Sequence, residues 1–255
     1  MATYQKRGYK PKAQEEIEEV TQESSTTAEV FTTLDESASK SEAWVSQNQN
    51  IILGVIALIA VTVLGYLGYQ QWVQKPLERE ASNELYYAQR YFDQALITQQ
   101  SQDSLFTLAL EGAEGKYGFV EIAEQYAGTK AADLAAYGAG LSYLHLGQFE
   151  QAVSYLSGFK TDDALMQALA LGALGDAQSE LGDKEAGLKS YVAAASHSNN
   201  EFSAPRFWFK AGVLAQELGQ TGSAIEYFKT VSDQYPNAVE ASSVDALLGS
   251  LQAEE

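Results

Sequence analysis

Six glycines at two repeated spacings limit what this chain can fold into more than any other feature. Gly140, Gly175 and Gly212 recur at intervals of 35 and 37 residues, and each is followed seven residues later by a second glycine, at Gly147, Gly182 and Gly219. The segments around the second set align: YLHLGQFEQA (Tyr143–Ala152), SELGDKEAG (Ser179–Gly187) and QELGQTGSA (Gln216–Ala224). A period in this range is the mark of one supersecondary unit repeated, in which no unit can bury its apolar face alone. The first glycine of each pair lets two helices approach closely. The second can enter the left-handed region and end a helix.

Two helices per unit at a period near 34 match the tetratricopeptide repeat (TPR) pattern, W-x2-L-G-x2-Y, then A-x3-F and P. The last unit fits best, with Trp208 and Gly212, then Ala224 and Phe228, then Pro236. The first supplies Gly140, Tyr143, Ala152 and Leu156, and the middle one Leu174, Gly175, Gly187 and Tyr191. The large residue of each second helix is expected to fill the gap toward the next unit. The expected fold is all-α: a single N-terminal transmembrane helix followed by an α-solenoid of TPR helix-turn-helix repeats. A divergent TPR domain spans 77–255, with clear repeats at about 133–166, 168–201 and 205–238 and a covering helix at 238–251.

Other segments fit that frame less closely. Phe119–Gly128 resembles Phe228–Asn237, so a preceding second helix ends there, with Leu77–Leu96 as its partner and an atypical insertion between. Ile97–Ser104 reads as a loop. Gly112–Gly118 (GAEGKYG) is glycine-rich but lacks the G-K-[ST] ending and the preceding strand of a nucleotide loop. Pro205 suits the first turn of a helix.

Ile51–Tyr69 contains no charge, and Thr62 and two tyrosine hydroxyls are its only polar side chains. A helix rising about 1.5 Å per residue crosses a hydrocarbon core of about 30 Å in about 20 residues. Trp44 before the run and Tyr66, Tyr69 and Trp72 at its end are placed as interfacial aromatics. A buried core helix usually keeps a polar stripe, and this run has none. It also starts too far along the chain, behind an acidic segment, to read as a cleaved signal peptide. The transmembrane helix is therefore placed at 49–73, and Pro76 is expected to kink or end it.

Residues 1–48 read as a disordered acidic tail with a short amphipathic helix at about 26–47. The capping box Thr26-x-x-Glu29 opens that helix. Val30, Phe31, Leu34 and Trp44 lie on its apolar stripe. Its other faces are acidic, which suits docking on a protein partner rather than on lipid. The alternative is a half-formed helix leading into the membrane.

Charge and composition exclude several functions. Five Lys/Arg and nine Asp/Glu precede Ile51, leaving eleven and twenty-five for the large domain. So acidic a domain does not track phosphates, which argues against nucleic acid. The absence of cysteine removes disulfides, thiolate metal sites and thiol catalysis. His145 and His197 lie in different units, and no catalytic constellation, metal site or cofactor site is legible. Asp162 and Asp163 read as a helix start.

A TPR stack works through the concave surface lined by the first helix of each unit. The repeat frame places Leu134, Tyr137, Leu141, Leu144 and His145 there in the first unit. It places Asp176, Ser179 and Glu180 there in the second, and Arg206, Phe209, Val213, Gln216 and Glu217 in the third. The alternative is that several of them simply pack the stack. Mixed apolar and acidic, this groove suits an apolar or mildly basic extended segment better than an acidic tail.

The stretches RGYKPK (Arg7–Lys12), TTAEVFTTLDE (Thr26–Glu36), the apolar run, ASNELYYAQRYFDQA (Ala81–Ala95) and the repeats together resemble the YfgM-like ancillary subunits of the SecYEG translocon of Gram-negative bacteria. The resemblance implies a bacterial inner-membrane protein, single-pass, with a cytoplasmic N-terminus and a periplasmic C-terminal domain. It implies as partners the translocon and a membrane-anchored periplasmic chaperone or prolyl isomerase, and a non-enzymatic role. A cell-envelope scaffold for outer-membrane or wall assembly is the alternative. The local charge count points the other way on orientation: only Lys40 flanks the run on its N-terminal side, against Lys75, Arg79 and Arg90 on the other.

Overall fold

The computed structural model describes Leu34, Ser39 and residues 42–98, 100–197 and 199–253. The chain divides into two compact units, Met1–Gly68 and Tyr69–Glu255.

The first unit contains most of α1 (Gln49–Tyr69). None of the residues in its most apolar window, with mean hydropathy 2.6, is buried, and among the described residues this is the one helix long and apolar enough to cross a membrane. Thr62 hides its hydroxyl by donating to the Leu58 carbonyl at 2.8 Å. Residues 42–47 are also helical. Val30 and Phe31 of the expected docking face lie outside the described residues. Leu34 and Trp44 are 59% and 61% exposed.

Pro76 neither ends nor breaks the helical backbone. A π-helical turn, Gln70–Gln74, closes with the Lys75 amide donating to the Gln70 carbonyl, and α2 (Lys75–Ile97) begins there. Proline thus stands directly after the π-turn, where the regular ladder of bonds four residues back is already interrupted.

The second unit continues with α3 (Gln102–Glu111), a hairpin of β1 (Gly112–Ala113) and β2 (Lys116–Tyr117), and α4 (Phe119–Gln125). One expectation is corrected here. The loop after α2 is shorter than 97–104, because Ile97 closes α2 and Gln102 opens α3. The glycine-rich stretch is an antiparallel hairpin, so the fold is helical except for four strand residues among those described. Glu114 and Gly115, with φ of 57° and 75°, form the tight turn, as a two-residue hairpin loop with both central residues left-handed requires.

Seven helices follow: α5 (Lys130–His145), α6 (Phe149–Gly158), α7 (Ala164–Glu180), α8 (Lys184–His197), α9 (Ala204–Glu217), α10 (Thr221–Gln234) and α11 (Ala241–Ala253). From α5 on, each helix packs on its neighbours in sequence. Val244 and Leu251 of α11 join the core cluster built on α8, α9 and α10.

The three turns between first and second helices are the same turn. Gly147, Gly182 and Gly219 have φ of 71°, 85° and 70°. In each, the residue after the glycine donates to a carbonyl five residues back: Gln148 to Tyr143, Asp183 to Gln178 and Gln220 to Ala215, at 2.9, 3.0 and 2.8 Å. The glycine amide donates three residues back, completing a Schellman cap that satisfies two orphan carbonyls. Replacing any one of these glycines by alanine is expected to cost about 1 kcal/mol, because a Cβ is strained in the left-handed region. Thermal unfolding of the three single variants should give similar losses.

The inner glycines explain the helix spacing. A Cβ on Gly140 would stand 2.6 Å from Leu156, one on Gly175 2.7 Å from Tyr191, and one on Gly212 2.5 Å from Phe228. The large residue of each second helix therefore sits on the glycine of its own unit, not in the gap toward the next unit as expected. The inter-unit gap is closed elsewhere: Phe207 of α9 lies against Gly172 of α7, whose added Cβ would meet the ring at 2.0 Å.

Candidate partner-binding site

The site begins with how the first helices start. Thr129 caps α5, its hydroxyl accepting from the Ala132 amide at 3.1 Å and donating to the Tyr126 carbonyl at 2.8 Å. Glu78, far away on α2, accepts from the amides of Lys130 and Ala131 at 2.8 and 2.9 Å. The first three amides of α5 are thus satisfied, two of them by a carboxylate that also complements the helix dipole. Asp163 caps α7 by accepting from Met166 at 2.9 Å, the role expected of the Asp162–Asp163 pair. Before α9, the Asn200 side chain accepts from the amides of Phe202 and Ser203 at 2.8 and 2.7 Å.

With their starts fixed, these helices bury one face, built mainly of alanine and glycine, and leave another face accessible. In α5 the buried set is Ala131, Ala132, Ala135, Ala139, Gly140 and their small neighbours. All thirteen residues placed on the groove by the repeat frame are exposed or half-buried. Leu134, His145, Glu180, Arg206, Gln216 and Glu217 are exposed; Tyr137, Leu141, Leu144, Asp176, Ser179, Phe209 and Val213 are half-buried.

Several of them are engaged within the domain. Tyr137 packs its ring on Phe159 at 5.1 Å, and Phe209 on Phe228 at 5.8 Å. Leu141 and Leu144 pack against the cluster around Ala152 and Leu156. Asp176 accepts from the Tyr191 hydroxyl at 2.6 Å and from the Lys210 ammonium, so one carboxylate ties α7 to α8 and to α9. Burial, reinforced by Asp176, raises the Tyr191 phenol well above the usual tyrosine range. Ser179 donates to the Gly175 carbonyl, and Glu217 pairs with Lys184 across 3.0 Å of exposed surface. That exposed pair contributes little to stability.

His145 stacks flat on the buried ring of Phe106 in α3, with centroids 4.6 Å apart and planes at 7°. It sits in the last turn of α5, where the helix dipole favours the cation, but the water lost from the ring face that lies on Phe106 outweighs this and lowers its pKa below 6.5. A depressed folded pKa means stability that is present above pH 6.5 and lost as pH falls through the folded value. The unfolding temperature should therefore drop below about pH 6.5, and His145→Phe, which keeps the stack, should flatten that slope in a pH series of thermal melts.

Two clefts open along one edge, where first helices begin and second helices end. The first, of about 500 Å³, is lined by Leu134, Phe159, Lys130 and Lys160, with Asp133, Asp162 and Asp163 at its rim. The second, of about 340 Å³, is lined by Leu169, Phe202, Arg206 and Val239, with Glu201 and Glu240. Leu169 is absent from the groove residues read from the sequence. Its position was legible: it lies 35 residues after Leu134 and 37 before Arg206, the same steps the glycines take.

Among the described residues, no group of His, Asp and Glu is arranged to hold a metal ion. Residues 134–163 and 207–238 match the family model of the tetratricopeptide repeat. The first match runs from within α5 through α6 to the cap of α7, and the second from Phe207 in α9 through α10. No curated protein matches the chain at a significant level. Tetratricopeptide repeats are protein-interaction modules and generally not catalytic, so the domain is a protein-binding adaptor.

Proposed function

We propose that the chain is a non-enzymatic, single-pass inner-membrane adaptor whose α-solenoid of TPR helices binds partner or emerging polypeptide segments in its concave groove. The carrying observation is the accessible face that α5, α7 and α9 keep at repeat-equivalent positions. Membrane anchoring is supported by α1, whose apolar side chains have no protein to bury them. The translocon and a periplasmic chaperone or prolyl isomerase are the proposed partners, on the strength of the sequence resemblance, with the domain in the periplasm.

Gentle detergent extraction of tagged protein from its native membrane, followed by mass spectrometry, tests this. SecY, SecE and SecG recovered at near-equal amounts together with a periplasmic chaperone would support it. Envelope-assembly proteins in their place would favour the scaffold alternative and remove the translocon from the proposal.

Orientation has its own test, because Lys75, Arg79 and Arg90 favour a cytoplasmic domain by the positive-inside rule. The chain lacks cysteine, so a single Lys189→Cys, at an exposed position of α8, is a clean label site. Labelling of intact cells by a reagent that passes the outer membrane but not the inner one places the domain in the periplasm. Labelling only after lysis places it in the cytoplasm.

A further inference from the structure

We propose that the edge carrying the two clefts, rather than the concave groove alone, is a docking track for an extended polypeptide with apolar side chains and basic residues between them. This rests on the adaptor reading and names the chemistry of the partner. The clefts occupy equivalent places in the repeat: Leu134 walls the first and Leu169 the second. Two large apolar side chains stand in solvent at the second cleft, Phe202 at 75% exposure and Val239 at 85%. They lie in the connections before α9 and before α11, and packing of the helices does not need them.

Charge selects the occupant. The first cleft has three carboxylates against two ammonium groups, and the second two carboxylates against Arg206. The chain beyond Asn50 has twenty-five acidic against eleven basic residues, so its field attracts cations and repels acidic chains. Spacing selects an extended form. The first helices of units one and two, α5 and α7, pack directly, so the step along the edge is about 8–10 Å. That is about three residues of chain in the polyproline II form, which rises about 3.1 Å per residue and, with three residues per turn, returns every third side chain to the same face. The occupant therefore presents an apolar side chain at every third position.

The test uses the full chain in detergent micelles and fluorescent peptides of about ten residues. One has leucine at every third position with lysine and serine between; a second replaces lysine by glutamate; a third replaces leucine by serine. Fluorescence anisotropy should show the first binding at least about tenfold more tightly than either other, weakening as salt shortens the Debye length. Phe202→Ser with Val239→Ser should weaken it about fivefold or more, and Val192→Ser on α8 should leave it unchanged. The proposal is overturned if the acidic peptide binds equally, if no peptide binds, or if the Phe202/Val239 variant binds as well as the parent. Loss on Val213→Ser without loss on that variant would move the site to the concave groove, overturning the edge and leaving the adaptor reading intact. The translocon assignment stands or falls separately, by copurification.

Discussion

Phe228→Ala is expected to lower the unfolding free energy by about 3–5 kcal/mol, the usual cost of deleting a buried ring. Phe228 is fully buried between α9 and α10, with Phe209 beside it and Gly212 beneath it. At about 2–4 °C per kcal/mol for a domain of this size, the unfolding temperature should fall by about 10 °C. Gly212→Ala alone should cost about 1–3 kcal/mol, because its Cβ would drive into that ring. The double variant should cost clearly less than the two losses added, since the new methyl enters space the ring has left. Denaturant unfolding of the four proteins gives the coupling. Simple additivity would mean that the ring is not seated on Gly212.

The second large effect concerns α1. Ile59→Lys with Ala60→Lys places two charges at the centre of the apolar run. At about 2.5–3.5 kcal/mol per residue for insertion, the pair opposes membrane insertion by roughly 6 kcal/mol, more than a ten-thousandfold bias. The variant should move from the membrane pellet to the soluble fraction after alkaline extraction, while the parent stays in the pellet. A parent already in the soluble fraction would remove the anchor from the proposal.

How far each feature is legible in the residues depends on where its constraint acts. A left-handed turn and a close helix approach both demand glycine, so Gly147, Gly182, Gly219, Gly140, Gly175 and Gly212 expose the repeat in the bare sequence. The apolar run is equally legible, because nineteen uncharged residues leave few environments. Contacts between distant segments are not. Glu78 binds backbone amides at Lys130 and Ala131, and a backbone amide leaves no trace in residue type. Repeat position puts His145 on the groove; its stack on Phe106 depends on where α3 folds back, and α3 belongs to the insertion that breaks the repeat. Repeat position likewise locates Asp176, whereas its pairing with Lys210 depends on how α9 packs beside α7. Leu169 is marked by the repeat step, yet its unit otherwise offers the groove only polar residues, and an isolated leucine there reads as core.

The most direct measurement is site-specific photocrosslinking in the native membrane. A photoreactive residue would replace Leu134, Arg206 or Gln216 on the accessible first-helix face, and Lys189 on α8 would serve as the control. Discrete crosslinks to a partner polypeptide from the first three positions, and none from Lys189, are predicted. Crosslinks from Lys189 with none from the first-helix face would contradict the proposed binding surface.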